Sequence, residues 1–455
     1  MSYLHSIQLY FMRLMRQIRL RFISIPYTHF SFYKPQTYKP TILWHFISFI
    51  FAFLYVLPFY AQWVLESYDK AISPLLVSLL GLFSIASVLF VPKNRRFGVG
   101  FFIGMLWFYW ISLGLRYFDM SFLIPLVVIA CGIFMGFVFY IGLWCECLIV
   151  RFAFLLLLSY LTPFGFDWIV PESVFAYSYI GVDKLSFALS ILALWILFKY
   201  KTWWKLGGVI CLVFALDFGL KDSKIQNLPP LKIKLAQSAV SQDFDYRMRE
   251  AKSIFSEHIS DIQKAINEEY DVIILPESAF YVPLDSQYFP YFDSLLEMSH
   301  KIVIIVGALR EEIHTDGRAS YFNSTYKFDK GKVSFYDKVH LVPFGETLPS
   351  FLLPLVNTFF QGIGGFSAGK DFGYFDIAEI KFKNAICYEG SNRGFYADYP
   401  QYVIVTSNNA WFVPSIEPIL QKNLMKYYAR LYGSVIFHAT NLSPAAIITP
   451  FVSSR

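Results

Sequence analysis

The chain has 455 residues, 56% of them hydrophobic, 20% aromatic and 16% charged, with a mean hydropathy of +0.46. That balance lies well away from an average soluble domain and describes a membrane protein. The formal net charge of +6 is modest, gives no reason to expect a nucleic-acid partner, and tells less than its distribution along the chain.

Residues 1–40 are basic and aromatic, hold no apolar core long enough for a signal-peptide h-region, and carry internal methionines at Met12 and Met15. They read as a cytoplasmic amphipathic tail or an over-long gene start, with no function attached. Long apolar runs follow around 43–63, 73–91, 97–117, 122–144, 148–164, 185–199 and 205–220. Each approaches the roughly 17 to 25 residues that cross about 30 Å of hydrocarbon, the last three being short. About seven spanning helices are therefore expected in a membrane domain over residues 41–220. After Leu220 the character changes, and Lys221-Asp-Ser-Lys224 opens a mixed-charge, alternating region over 221–455 with no further spanning run.

Lysine and arginine in the short connections give the orientation. Arg13, Arg16, Arg19, Arg21, Lys34 and Lys39 precede the first run; Lys93, Arg95 and Arg96 follow the second; Arg151 follows the fourth; Lys199, Lys201 and Lys205 surround the end of the sixth. The alternate connections hold only Lys70, Arg116 and Lys184. The basic set marks the cytoplasmic side, so an odd number of spans delivers the region after Leu220 to the outer face.

The outer region alternates strand and helix. Ile233 to Val240 is strand-like, residues 245–268 carry a helical pattern, and Asp271-Val-Ile-Ile-Leu-Pro-Glu277 is a buried strand ending in a carboxylate. Lys301 to Gly307 is a further strand, and Asn323 to Val339 reads as a hairpin turning at Asp329-Lys-Gly331. Phe382 to Cys387, Tyr402 to Ser407 and Ser434 to Ala439 are the later strands, with a helix near 415–431 between the last two. A central sheet covered by helices is the natural architecture.

Cys131, Cys145, Cys147 and Cys211 fall inside or beside apolar runs, where a thiol packs as a small hydrophobe. Cys145-Glu-Cys147 lacks the C-x2-C spacing and a histidine partner, so neither a disulfide framework nor a metal site is expected. Cys387 stands alone in the polar half, a thiol placed as a chemical tool. Glu277 closes one hydrophobic strand, Lys338 lies in Asp337-Lys-Val-His-Leu-Val-Pro-Phe-Gly-Glu346, and Cys387 closes another strand in Ile-Cys-Tyr-Glu. A base, a cation and a nucleophile at strand ends form the minimum kit for acyl transfer through a covalent intermediate.

In these contexts the chain resembles the carbon-nitrogen hydrolase (nitrilase) superfamily, and the fusion to a membrane block resembles the apolipoprotein N-acyltransferases. The resemblance spans roughly residues 43–450 and rests on Lys338 to Glu346, Cys387-Tyr-Glu389 and Ser407-Asn-Asn-Ala-Trp-Phe412. It implies a multi-pass α-helical membrane domain plus an extracytoplasmic α/β domain built as a nitrilase-like αββα sandwich. It also implies Glu277 as general base, Cys387 as nucleophile and Lys338 as the cation at the oxyanion, which the backbone N–H of Tyr388 would join. Glu346 would orient Lys338, with Tyr388 and Glu389 flanking the nucleophile in either a buttressing or a direct role. Phe244 stands where the family places a tryptophan in its acceptor-binding region, and Trp411 in the Asn-Asn-Ala-Trp motif is grouped with it.

The resemblance further implies transfer of a fatty acyl chain from a phospholipid to the N-terminal α-amine of a diacylglyceryl apolipoprotein, in a monomer without a cofactor at the bacterial inner membrane, the catalytic domain periplasmic. Phe351 to Phe360 and Phe280 to Leu284 are greasy enough to be lips guiding acyl chains, with Phe359 and Phe360 foremost; ordinary core packing is the alternative. The chain departs from the family at Phe451-Val-Ser-Ser-Arg455, where a closing strand and a final spanning helix are expected. A membrane-tethered amidase using water as acceptor, and a transporter or structural membrane protein with an inert enzyme-like domain, are the readings from other classes.

Overall fold

The computed structural model describes residues 42–201, 203–217, 228–284, 289–342, 346 and 365–452. The 1–40 tail, Phe359 and Phe360 lie outside the described residues. Each of the seven apolar runs contains a helix: α1 Ile42–Glu66, α2 Pro74–Leu89, α3 Arg96–Phe108, α4 Ile124–Gly142, α5 Leu148–Leu157, α6 Lys184–Lys199 and α7 Trp204–Ala215. Among the described residues, three helical stretches are long and apolar enough to cross a bilayer, Trp44–Glu66, Arg96–Phe118 and Ser121–Gly142. The others are apolar but shorter. On α4, Leu126, Ile129, Ile133, Phe137 and Ile141 stand exposed at helical spacing, an apolar stripe suited to lipid. The opposite side packs on α3, where Gly100 and Gly104 let the two backbones approach: a Cβ on Gly104 would lie 2.3 Å from the Cys131 carbonyl. Arg151, placed by the sequence at a membrane boundary, is buried, and its guanidinium donates to the Leu89 and Val91 carbonyls at 2.7 and 2.6 Å just past the end of α2.

The run 148–164 does not continue as one helix. Past the short 3-10 turn Leu158–Tyr160 the chain meets Pro163, whose ring disfavours helix in the residue before it, and residues 161–183 are irregular but mostly buried.

From residue 233 onward two six-stranded sheets form. The first joins β1 Ile233–Leu235, β3 Val272–Ile274, β5 Val303–Ile313, β6 Ala319–Asp329 and β7 Lys332–Asp337 in that spatial order, with β4 Phe280–Pro283 beside β5. The second joins β8 Tyr374–Ile377, β9 Ile380–Ile386, β10 Tyr402–Asn408, β11 Val435–Asn441 and β12 Ala446–Ile448, with β2 Gln237–Ser238 beside β11. Val272, Ile274 and Ile305 of the first sheet meet Phe382, Ile404, Val435 and Phe437 of the second in one apolar layer. Helix α8, Phe244–Asn267, and the short α9, Phe292–Met298, cover the outer face of the first sheet through Ile254, Phe255, Ile262 and Leu295. Helix α10, Glu417–Tyr432, covers the second. The architecture is an αββα sandwich beside a helical membrane domain. The strand at Ala446–Ile448 pairs antiparallel with β11, so the closing strand expected to be missing is present.

Helix α10 is buried on both sides because its second face meets the membrane block. Its Leu420, Leu424, Met425 and Tyr428 share one core with Val403, Val405 and Ile436 of the second sheet and with Trp107, Trp168 and Phe175 of the membrane block. Lys422 pairs with Glu66 at 2.5 Å, and Asn423 donates to Gln62 at 2.8 Å. Arg430 donates to the carbonyls of Phe175, Ala176, Ser178 and Ile180.

Candidate active site

Strand ends bring the chemistry together. β3 delivers Glu277 three residues past Ile274, β7 hands over to Lys338, and β9 hands over to Cys387. Parallel pairing of β9 with β10 and of β3 with β5 turns these carboxyl ends to one side of the sandwich. Gly307 on β5 makes the Glu277 approach possible, since a Cβ there would fall 2.5 Å from the Glu277 Cα. Cys387 opens a short 3-10 turn with φ +52°, a left-handed backbone for a residue with a side chain. Such strain is tolerated where the surroundings fix it, and here it projects the thiol at the strand tip.

Glu277 is buried, its Oε1 accepting from Asn323 Nδ2 at 2.7 Å and its Oε2 from the Asn408 backbone N–H at 2.7 Å. Burial pushes this carboxyl above the ordinary glutamate range, Lys338 opposing and Glu346 adding to the effect. Lys338 Nζ lies 3.5 Å from Glu277 Oε1 and between 2.7 and 2.8 Å from both oxygens of Glu346. Burial pulls its pKa down, but Glu346, Glu277 and Cys387 outweigh that, raise it above the ordinary lysine value and hold the ammonium charged. Cys387 is buried, and its sulfur accepts from Gln421 Nε2 at 3.5 Å. Burial, then Glu277, push the thiol well above its usual range, with Lys338 pulling the other way, so the resting group is S–H.

Glu389 is a tie. Its Oε1 accepts the Val339 and His340 N–H groups at 2.6 and 3.0 Å, and its Oε2 accepts the Ile386 N–H at 2.8 Å. One buried carboxyl thus fastens the lysine loop to the turn that bears Cys387. Tyr388 points into the membrane block: its hydroxyl donates to Asp167 Oδ1 at 2.7 Å, and its ring stacks on Phe166 at 5.7 Å. Asp167 Oδ2 accepts the Arg393 N–H at 2.9 Å, and Trp168 Nε1 donates to Ser391 at 2.9 Å.

Trp411 is half-buried in the same seam, against Tyr117 and Phe118, where Arg116 and Tyr117 donate to backbone carbonyls of residues 410–413. Phe244 is 72% exposed at the start of α8, two residues from Gln242, which accepts from Asn408 Nδ2 at 2.8 Å. The lysine-loop residues 343–345 are outside the described set.

Sequence reasoning missed Asn323, Gln421 and Asp167. Asn323 had a signal, an amide inside a strand whose neighbours Ser324 and Thr325 are also polar and buried. Among the described residues, no group of three or more metal-ligating side chains is gathered.

A buried thiol, carboxylate and ammonium at the strand ends of an αββα sandwich define a carbon-nitrogen hydrolase-type enzyme joined to a membrane domain. The model of the carbon-nitrogen hydrolase family matches residues 234–430, and that of the apolipoprotein N-acyltransferase integral membrane domain matches 42–218. The apolipoprotein N-acyltransferase of Wolinella succinogenes is 39% identical over 386 residues, 83% of this chain and 90% of that protein. That of Helicobacter pylori is 37% identical over 89% of this chain and 95% of its own, and that of Campylobacter jejuni 33% over 95% and 96%. The chain belongs to the apolipoprotein N-acyltransferase family.

Proposed function

We propose that the chain moves a fatty acyl group from a membrane phospholipid, through a thioester on Cys387, to the N-terminal α-amine of a diacylglyceryl-cysteine apolipoprotein. The observation that carries the reading is the convergence of Glu277, Lys338 and Cys387, with the nucleophile turn fastened to the membrane block through Tyr388. A carboxyl raised by burial is a stronger base than one in water, suited to take the thiol proton as sulfur attacks the ester carbonyl. The C–S bond forms, the ester C–O bond breaks, and Glu277 returns the proton to the departing lysophospholipid alkoxide.

Lys338, held charged by Glu346, and the Tyr388 N–H stabilise the oxyanion; losing such a donor typically costs about 10² to 10³ in rate. The amine then attacks the thioester, giving ping-pong kinetics. Water is a poor competitor for a site buried against a membrane domain, which disfavours the amidase alternative. The alternation of basic connections supports a catalytic domain on the periplasmic side of the inner membrane.

The test is intact-mass analysis of purified protein mixed with phospholipid vesicles. A fatty acyl adduct sensitive to hydroxylamine is expected on the wild type, absent in Cys387→Ala and weak in Glu277→Gln. An adduct that persists in Cys387→Ala rejects the assignment, and hydrolysis of a small amide without lipid would identify the amidase.

A further inference from the structure

Glu417 is the first residue of α10 and is 1% exposed. A carboxylate in a first helical turn ordinarily sits in water and offers its oxygens to free backbone N–H groups. Glu417 does otherwise. Its Oε2 is buried with no hydrogen-bond partner among the described residues, and its backbone N–H is taken up by Ser415 Oγ at 3.1 Å. One turn along the same helix face stands Gln421, which donates to the Cys387 sulfur at 3.5 Å. The face of α10 that touches the nucleophile therefore carries a second carboxyl. Its charge is felt at Cys387, and burial followed by Glu277 raises it to about 8.

The chain leading to Glu417 is clamped on the membrane block. Tyr109 accepts the Ile416 N–H at 3.3 Å, and Arg116 donates to the Val413 carbonyl at 3.0 Å. A buried carboxyl with an unspent oxygen, on the helix face that touches the sulfur and next to the clamp on the membrane block, has no task in forming the thioester. The first half-reaction already has its base in Glu277 and its cation in Lys338.

We propose that Glu417 is the acceptor-amine site, the carboxylate that receives the α-ammonium of the incoming apolipoprotein and takes one of its protons. The inference rests on the acyl-transfer reading above. Glu417 gives its own proton to solvent as the ammonium binds, then removes one proton from that ammonium to leave a free amine. The amine nitrogen attacks the thioester carbonyl; the C–N bond forms and the C–S bond breaks. Glu277 takes the second amine proton and passes it to the leaving sulfur, restoring the Cys387 thiol. The third hydrogen stays on the amide. Glu277 thus serves both half-reactions, and Glu417 serves the second.

The experiment separates the halves with full-length protein in phosphatidylglycerol vesicles, a donor without an amine. Adduct formation is followed by intact mass; discharge is followed on adding either a diacylglyceryl-cysteine peptide with a free N-terminus or hydroxylamine, which is uncharged near neutral pH. Glu417→Gln, close to isosteric, should still acquire the acyl adduct and discharge to hydroxylamine at the wild-type rate within about threefold. Its discharge to the peptide should fall about 10²-fold, with a higher half-saturating peptide concentration, and Glu417→Asp should recover part of it. Peptide discharge at the wild-type rate overturns the inference alone. Equal losses in adduct formation, hydroxylamine discharge and peptide discharge also overturn it, by showing a general structural role. Failure of the wild type to form any adduct removes the acyl-transfer reading together with it.

Discussion

Asn323 shares one amide nitrogen between Glu277 Oε1 at 2.7 Å and Glu346 Oε1 at 3.1 Å. Asn323→Leu keeps the approximate volume and removes both bonds. A hydrogen bond to a charged group contributes about 1.5 to 3 kcal/mol, and about 1.4 kcal/mol corresponds to one pKa unit. Glu277 already lies above the ordinary carboxylate range because of burial, and the Asn323 N–H is among the influences pulling it down. Removing that donor raises Glu277 further, by about one to two pH units on this arithmetic. The base acts deprotonated, so the acid limb of the acylation rate moves up by the same amount, and on that limb the rate falls about 10- to 100-fold. The check is the initial rate of acyl-adduct formation from about pH 6 to 9, with the variant expected to regain ground as pH rises. A profile identical to that of the wild type, or a loss of equal size at every pH, would refute the reasoning.

Tyr388→Phe keeps the stack on Phe166 but gives up the hydroxyl bond to Asp167; a loss of about 1 to 3 kcal/mol in thermal stability and faster proteolysis in the 161–183 segment are expected. Gly307→Ala forces a Cβ to 2.5 Å from the Glu277 Cα and 2.7 Å from the Pro276 carbonyl, both backbone atoms. Overpacking of about 1 to 3 kcal/mol should appear as a lower Tm together with slow acylation, and an active, stable variant would count against the tight approach. Glu389 has a folded-state pKa raised by burial to about 7, against an ordinary glutamate value of about 4.3 in the unfolded chain. Its favourable contribution is complete below the unfolded value and is lost as pH rises through about 7, so wild-type Tm should decline relative to Glu389→Gln between about pH 5 and 8.5. Parallel Tm curves for the two proteins would contradict that sign.

The strand ends were legible because hydrophobic runs that stop on Glu277 and Cys387 carry two signals at once, a buried strand and a reactive group at its tip. The helix at 244–267 and the hairpin turning at 329–331 were legible for the same reason: periodicity and turn chemistry act locally. Asn323, Gln421 and Glu417 were not, because each becomes meaningful only when a distant element packs over it. Gln421 and Glu417 are ordinary polar residues of a helix until the fold buries that helix face beside Cys387. Trp411, grouped with Phe244 among the expected substrate contacts, packs on Tyr117 and Phe118, a partnership about three hundred residues away in sequence and invisible to local pattern. Arg151 shows the converse. The charge count gave it a membrane boundary, while its work as a cap for the α2 carbonyls required the fold.

The seam between the two halves bears on why this enzyme carries a membrane domain at all. A tether would need only a flexible connection and would leave both surfaces wet. Here Tyr388, adjacent to the nucleophile, reaches Asp167 and stacks on Phe166; Arg430 on α10 satisfies four carbonyls of residues 175–180; and Lys422 pairs with Glu66 at the end of α1. Burying charged groups in this way costs desolvation that well-placed partners only partly return, so such contacts add little as glue but hold one geometry against its neighbours. Because Gln421 touches the sulfur from the same helix that bears Lys422 and Arg430, a shift of the membrane block is a shift at Cys387. The Cys387 sulfur is therefore held at a set position relative to the membrane helices, which the proposed transfer between two membrane-borne substrates requires and a soluble amidase does not.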